Sequence, residues 1–77
     1  MGYDRKSHSM EGEFARLDIL RFIGDFIDAH GYSPSIREIM TGCGYNSTSS
    51  VAHHLSVLHD LGKIDYQPRI ARSVRLT

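Results

Sequence analysis

Glycine and proline punctuation constrains this chain more than any other feature of its sequence. A glycine follows His30, a proline follows Ser33, two glycines flank Cys43, and another glycine follows Leu61. A glycine after an apolar periodic segment favours a helix end, and the residue before a proline avoids helical backbone angles. Residues 13–77 are therefore divided into three segments of helical length and a short C-terminal remainder, which limits the chain to a small multi-helix domain.

The first segment predicts the longest helix, from Glu13 to about Ala29. Its apolar residues recur at steps of three and four, with acidic residues and arginines between them, a pattern typical of an amphipathic helix. Gly31 stands where a left-handed residue is expected to end such a helix. Residues 1–12 are polar and show no periodicity, so we expect a disordered arm or leader before a domain that spans residues 13–77.

The second segment carries the spacing of a capping box. Ser35 precedes Glu38 by three residues, so the serine can cap the start of a helix while the glutamate reaches back to it. The pattern predicts a short helix from Ser35 to Thr41, which the glycine-containing run at residues 42–44 then breaks.

The third segment predicts a helix that begins at Ser47 or Thr48 and ends near Leu61. Its apolar residues again recur every three or four positions, and Gly62 follows them directly. Together the apolar stripes of all segments predict one core. Its expected members are Leu17, Leu20, Ile23, Ile27, Ile39, Val51, Leu55, Leu58, Ile64, Val74 and Leu76.

The C-terminal remainder alternates apolar and polar residues in two short runs, 64–67 and 73–76. Alternation of this kind predicts half-buried strands, and the five residues between them predict a protruding loop. Three helices followed by a two-stranded hairpin describe a mainly α fold, the winged helix-turn-helix.

The outer face of the third helix is unusually rich in short polar side chains. Serine and threonine have low helix propensity and little packing value, and capping accounts for only one or two of them. A surface of small polar residues allows a helix to approach the major groove of double-stranded DNA closely. The alternative is that this face of the helix is simply exposed to solvent and binds nothing.

The order and spacing of these motifs resemble the DNA-binding domain of LexA-type repressors, which control SOS-response genes. The resemblance runs from about Phe14 to Leu76. It is carried by the run from His30 to Ser35 with Ile36-Arg37-Glu38-Ile39, by Gly44-Tyr45 and Ser47, by His54-Leu55 and Leu58, by Leu61-Gly62-Lys63-Ile64, and by Arg75-Leu76.

The resemblance implies that the start of the third helix contacts base edges. The positions concerned are Ser47, Ser49, Ser50, Ala52 and His53. The family carries an asparagine and two glutamates where this chain has Ser49, Ala52 and His53, and a proline where it has Thr48. We therefore expect the family's docking mode with a different operator. The family's C-terminal domain, with a serine–lysine self-cleavage pair and the main dimer contacts, cannot be assigned to residues 1–77.

The charge distribution supports a DNA-facing edge near the C-terminus. Net charge is zero, but the residues up to position 40 carry five basic against seven acidic side chains, and the residues from 41 onward carry four against two. Cations on an exposed hairpin are suited to phosphate contacts. The predicted DNA-backbone contacts are Ser35, Thr48, Lys63, Arg69, Arg72 and Arg75.

Other classes of function are poorly supported by the residues. The single cysteine excludes an internal disulfide, and its place among apolar residues predicts a buried, inert thiol. The five histidines lack metal-ligand spacing, and His54 is expected to be a satisfied packing residue. No nucleophile–base arrangement is evident, so we predict no enzyme, no metal and no cofactor.

The remaining expectations concern location and partners. No apolar run approaches about 18 residues, and the N-terminus lacks the apolar core of a signal peptide, so we expect a cytoplasmic protein without a membrane partner. We predict a transcriptional repressor that forms a homodimer on DNA or through an absent domain. The alternative is a winged helix that docks on another protein, which the neutral net charge favours.

Overall fold

The computed structural model describes the backbone of residues 7–77 and the side chains from Glu13 onward. Three helices precede one antiparallel pair of strands, in which Ile64 lies opposite Leu76 and Asp65 opposite Arg75. The elements are α1 (Ser7–His30), α2 (Ile36–Cys43), α3 (Thr48–Asp60), β1 (Ile64–Asp65) and β2 (Arg75–Leu76). This order confirms the predicted winged helix-turn-helix.

Helix α1 is longer than the sequence predicts at its N-terminal end. It begins at Ser7 rather than Glu13, so part of the expected arm is helical, while residues 1–6 of that arm lie outside the described residues. Residues 7–12 are mostly polar, and hydrophobic periodicity therefore cannot detect the extension. The other end is as predicted: Gly31 has φ 81°, and its N–H donates to the carbonyl of Ile27 at 2.7 Å.

The capping box at the start of α2 is confirmed. The Ser35 hydroxyl accepts from the Glu38 N–H at 3.1 Å, and the Glu38 carboxylate accepts from the Ser35 N–H at 2.8 Å. The predicted break at residues 42–44 is wrong in position, because the helix continues to Cys43. The left-handed residue is Gly44, with φ 80°.

Gly42 lies inside α2 because of packing against α1. A side-chain carbon at this position would overlap the ring of Phe22. Glycine therefore allows the two helices to approach closely here, and it does not end the second one. The glycine that marks the helix end is the next one in the chain.

Helix α3 begins as predicted, with Ser47 as its N-cap. It ends at Asp60, and Gly62 follows with φ 74°. Four residues, 44–47, separate α2 from α3. A turn of this length containing glycine is typical of the helix-turn-helix motif.

The core is built around eight fully buried aliphatic side chains. They are Ile19, Ile23, Ile39, Val51, Leu55, Leu58, Ile64 and Val74. Seven were predicted, and Ile19 was missed. Leu20 and Ile27 are only partly buried against this cluster.

Two predicted core residues are wrong, since Leu17 is 57% exposed and Leu76 is 43% exposed. On α1 the buried face follows the four-residue step from Ile19 to Ile23. Leu17 precedes Ile19 by two residues and is therefore turned about 200° away from that face. Leu76 is the last strand residue, and its side chain lies near Gly24 on α1.

The strands are shorter than predicted, with two residues each. The strand ladder does not continue to Gln67, because a side-chain hydroxyl occupies the hydrogen-bonding groups of its backbone. The Ser73 hydroxyl accepts from the Gln67 N–H at 2.9 Å and donates to its carbonyl at 2.8 Å. Residues 66–74, here called the wing loop, thus form a closed loop between the two strands.

Candidate nucleic-acid interface

The exposed N-terminal surface of α3 carries all the residues predicted to meet base edges. These residues, here called the α3 face, are Ser47, Ser49, Ser50, Ala52 and His53. Ala52 is half-buried and the other four are exposed. The opposite side of the helix buries Val51, Leu55 and Leu58 in the core. The core thereby fixes which side of α3 faces solvent.

Two serines of the α3 face also support the helix. The Ser47 hydroxyl accepts from the Ser50 N–H at 3.4 Å and lies 3.4 Å from the Ser50 hydroxyl. A hydroxyl group has one donor hydrogen and two acceptor lone pairs. Because both side chains are exposed, the capping contact leaves each hydroxyl able to make a further hydrogen bond.

A groove of about 490 Å³ separates the helix-turn-helix from the wing loop. Four of the six residues predicted to contact the DNA backbone line it: Ser35, Thr48, Arg69 and Arg72. Residues distant in sequence are brought together here because the hairpin folds back on α2 and α3. We call this feature the wing groove.

Arg37 is a lining residue that sequence analysis missed. It is exposed and lies in the first turn of α2. Among residues 13–77, neither Arg37 nor Arg69 has a carboxylate within ion-pair distance. The available signal was Ser35, a predicted backbone contact that Arg37 follows by two residues.

Lys63 and Arg75 do not line the wing groove. They lie at the base of the hairpin, where Arg75 is opposite Asp65 and the Lys63 carbonyl accepts from the Thr77 N–H at 3.3 Å. Both are exposed. The predicted backbone contacts therefore fall into two groups, one in the groove and one at the hairpin base.

Arg72 makes a set of internal contacts that the sequence did not predict. Its Nη1 donates to Glu38 Oε1 at 2.7 Å and to the Ser33 carbonyl at 2.9 Å, and its Nη2 donates to Glu38 Oε2 at 3.2 Å. The guanidinium carbon lies 4.9 Å from the centre of the Tyr32 ring. The guanidinium that was expected to meet phosphate is thus turned back toward the start of α2.

Both members of this ion pair are charged at neutral pH. The hydrogen bond from Arg72, followed by that from the Ser35 N–H, lowers the pKa of Glu38 to about 2. The same hydrogen bond, which Arg72 donates to Glu38, raises the pKa of Arg72. A pair of full opposite charges adds no net charge to the wing groove, so its positive character comes from Arg37 and Arg69.

His54 packs as predicted but is not satisfied. Its ring lies 5.6 Å from that of Tyr45, and its Nδ1 is buried with no hydrogen-bond partner among the described residues. Burial, and then the charges of Arg16 and His53, lower the pKa of His54. The ring is therefore neutral at pH 7 and belongs to the packing of α3, whereas His53 faces solvent.

Other sites receive little support in the described part of the chain. Cys43 is half-buried rather than fully buried, and burial raises the pKa of its thiol, which keeps it protonated. Within that part, no group of three or more histidine, cysteine or carboxylate side chains is placed to hold a metal ion. None of its helices combines the length and apolar character needed to cross a membrane.

Comparison with known proteins identifies one family. The model of the LexA DNA binding domain matches residues 14–73. The chain is similar to the LexA repressor of Roseiflexus sp., with 48% identity over 59 residues that cover 77% of this chain and 27% of the relative. It is similar to the LexA repressor of Ligilactobacillus salivarius, with 42% identity over 67 residues that cover 87% and 32%.

A third relative extends the similarity over nearly the whole chain. The LexA repressor of Mycobacterium leprae is 39% identical over 75 residues, which cover 95% of this chain and 32% of the relative. The chain thus spans about a third of the length of the curated relatives it matches.

Proposed function

This chain belongs to the LexA DNA-binding domain family, and we propose that it binds double-stranded DNA sequence-specifically as part of a transcriptional repressor. The observation that carries the proposal is the family match over residues 14–73, which covers α2, α3, most of α1 and all but the last residue of the wing loop. Because of the resemblance to LexA repressors, we propose that the genes it controls are those of the SOS response. A cytoplasmic location and a binding role without catalysis are part of the same proposal.

The α3 face would supply the contacts to base edges. In winged and other helix-turn-helix proteins the second helix of the motif enters the major groove with its N-terminal residues foremost. Helix α3 contains no arginine or lysine, so it cannot make the bidentate contact to guanine that those residues supply. Serine hydroxyls and His53 offer single hydrogen bonds, and we therefore expect an operator that differs from that of relatives with asparagine and glutamate at these positions.

Residues around the wing groove would contact the phosphate backbone. Ser35 and Thr48 lie on the helix-turn-helix side, and Arg69 lies on the wing side. Arg37 joins them by its position on the groove wall. Lys63 and Arg75 would extend the contacts to the base of the hairpin. Each phosphate neutralised by a cation contributes about 0.9 to the slope of log K against log salt.

Two chains would bind one operator. A single small module buries only about 600–1,000 Å² on DNA, and the base contacts available to the α3 face are individually modest. Pairing would place two α3 helices in major grooves about one helical turn, or a multiple of it, apart. We propose a homodimer that forms on DNA or through a part of the protein outside residues 1–77.

A second candidate function is docking on another protein. Three apolar side chains are each more than half exposed: Phe14 and Leu17 on α1, and Leu61 directly after α3. The net charge of the chain is zero. Both properties suit a protein surface better than a polyanion. The winged helix is known to serve unrelated functions, so the fold alone does not decide between them.

Selection from a random-sequence library of DNA duplexes tests the proposal. We expect enrichment of a palindromic sequence, with each half bound less tightly than the whole. His53→Ala should change the enriched sequence, whereas Arg69→Ala should weaken binding to all duplexes alike and flatten the salt slope. Failure to enrich any sequence, together with no salt-dependent binding to duplex DNA, would favour the protein-docking function.

A further inference from the structure

We propose that Arg72 is a positioning residue that fastens the wing loop to the start of α2 through Glu38, and that it does not itself neutralise a DNA phosphate. The inference rests on the proposed DNA-binding function, and it assigns different roles to the two arginines of the wing loop. Arg69 would meet the backbone, and Arg72 would hold the loop in the position from which Arg69 can do so.

The contacts of Arg72 are those of a clamp. Its guanidinium forms a two-pronged ion pair with the Glu38 carboxylate, 34 positions earlier in the chain, at 2.7 and 3.2 Å. It also donates to the Ser33 carbonyl and lies over the Tyr32 ring. A planar guanidinium matches a carboxylate in this geometry and stacks on aromatic faces, which a lysine ammonium does not do. The contacts with Ser33 and Tyr32 fix the loop to the segment that leads into α2, and the ion pair with Glu38 fixes it to the first turn of α2 itself.

The backbone of Arg72 is an independent observation. Its φ is 56°, and it is the one non-glycine residue with positive φ in the described part of the chain. A long side chain rarely adopts the left-handed region, and such a conformation persists when surrounding contacts impose it. Here those contacts are the ones made by the residue's own guanidinium. The loop is therefore held in a conformation that it would not favour alone.

The clamp is joined to the capping box of α2. Glu38 Oε1 accepts from the Ser35 N–H at 2.8 Å and from Arg72 Nη1 at 2.7 Å. One carboxylate thus satisfies the Ser35 N–H at the helix start and also anchors the wing loop. Any movement of the loop away from the helix-turn-helix would disturb both contacts.

The charge balance explains why Arg72 would stay with Glu38 when DNA binds. If the guanidinium moved to a phosphate, the ionised Glu38 carboxylate would remain beside the wing loop, near the DNA polyanion, without a compensating charge. While the pair remains intact, it presents no net charge to the backbone. Arg69, which has no carboxylate within ion-pair distance among residues 13–77, carries no such constraint.

The direction in which Glu38→Gln changes DNA affinity shows whether Arg72 positions the wing loop or contacts phosphate. Glutamine retains the acceptor of the capping box but removes the negative charge that holds Arg72. If Arg72 positions the loop, Glu38→Gln should weaken binding to the duplex recovered by selection. If Arg72 contacts phosphate and Glu38 merely competes for it, the same variant should bind more tightly, and that result would overturn the inference.

The salt dependence of binding gives a second separation. Arg69→Ala should lower the slope of log K against log salt by about 0.9, the value of one phosphate. Arg72→Ala should lower it by no more than that, because its effect passes through Arg69. The double variant should then match Arg69→Ala alone. A combined loss of about 1.8, the value of two phosphates, would contradict the positioning role.

Measurements without DNA keep the test independent of the proposed function. In NMR spectra of the free chain, Arg72→Lys should shift the amide signals of the wing loop and raise the pKa of the Glu38 carboxyl toward its ordinary value. Arg69→Ala is the control: it should shift only the amide signals next to residue 69 and leave the pKa of the Glu38 carboxyl unchanged. Loop signals that do not move in Arg72→Lys would overturn the inference. A wild-type chain that binds no duplex, with loop signals that move as expected, would instead overturn the proposed function.

Discussion

Different forces stabilise the wing loop and the rest of the domain, the three helices and the two strands, which we call the helical body. The body is held by eight buried aliphatic side chains from all three helices and the hairpin. The wing loop contributes Val74 to that core and packs Tyr66 against it, but Ile70 is 59% exposed. Ser73 closes the loop on itself, and the polar contacts of Arg72 join it to α2. Apolar burial changes little with salt and pH, whereas exposed ion pairs respond to both. The body should therefore behave as a fixed support for a wing whose position depends on conditions.

The largest expected effect comes from charging the body. Leu55→Asp places an unpaired carboxylate among fully buried side chains, and a penalty of several kcal/mol is comparable to the total stability of about 5–15 kcal/mol that small domains have. We expect loss of the cooperative thermal transition in circular dichroism. Leu17→Asp is the matched control, because Leu17 is exposed, and it should melt near the wild type. Similar melting curves for the two variants would refute the assignment of the core.

A smaller effect is expected where Gly42 of α2 lies against Phe22 of α1. Gly42→Ala should destabilise the chain by about 1–3 kcal/mol, because the new methyl group overlaps the Phe22 ring. Gly24→Ala serves as the control, because it should change the free energy of unfolding in the opposite direction. A methyl group there meets only ordinary contact with Leu76, so the better helix former should add about 0.5–1 kcal/mol. Urea unfolding measures both, and a gain in stability for Gly42→Ala would contradict the close approach of α1 and α2.

The pH dependence of stability tests how much the Arg72–Glu38 ion pair stabilises the wing loop. Folding lowers the pKa of Glu38 from 4.5 to about 2, so the carboxylate contributes stability above about pH 4.5 and loses that contribution as the pH falls toward 2. The urea midpoint of the wild type should approach that of Glu38→Gln over this range. Between pH 5 and 7 their difference should stay constant. A difference that is undiminished at pH 2 would contradict the role of the ionised carboxylate.

The smallest effect on stability is expected at the α3 face. Ser50→Ala and His53→Ala should change the free energy of unfolding by less than about 0.5 kcal/mol, because both side chains are exposed. Ser47→Ala is the contrasting variant, since it removes the N-cap hydroxyl and should cost about 1 kcal/mol. Thermal melts of the three variants test this order. A large loss for His53→Ala would mean that this part of the face is packed.

Features set by neighbours in sequence were predictable. The capping box joins residues three positions apart, the left-handed conformations of Gly31 and Gly62 follow directly from helix ends, and Ser47 caps the helix that it precedes. Most of the core followed from apolar periodicity. Each of these features needs only a short window of sequence, and the side chains that form it have few alternatives.

Features that join distant segments were not predictable. The Arg72–Glu38 pair links positions 34 apart, and Gly42 meets Phe22 on a different helix. The residues alone suggested a free cation in one case and a helix break in the other. Both interpretations were sound for an isolated segment, and both changed once the hairpin and α1 were packed against α2. The wing groove, with Arg37 on its wall, likewise exists only in the folded chain.

The brevity of the hairpin has a consequence for solubility. An unpaired strand edge is a template on which a second chain can add a strand, and this is a common route to aggregation. Here each strand has two residues, and the Ser73 hydroxyl occupies both the N–H and the carbonyl of Gln67, where a longer ladder would otherwise continue. The wing can thus present the exposed Arg69 to a partner while offering almost no edge for unwanted self-association.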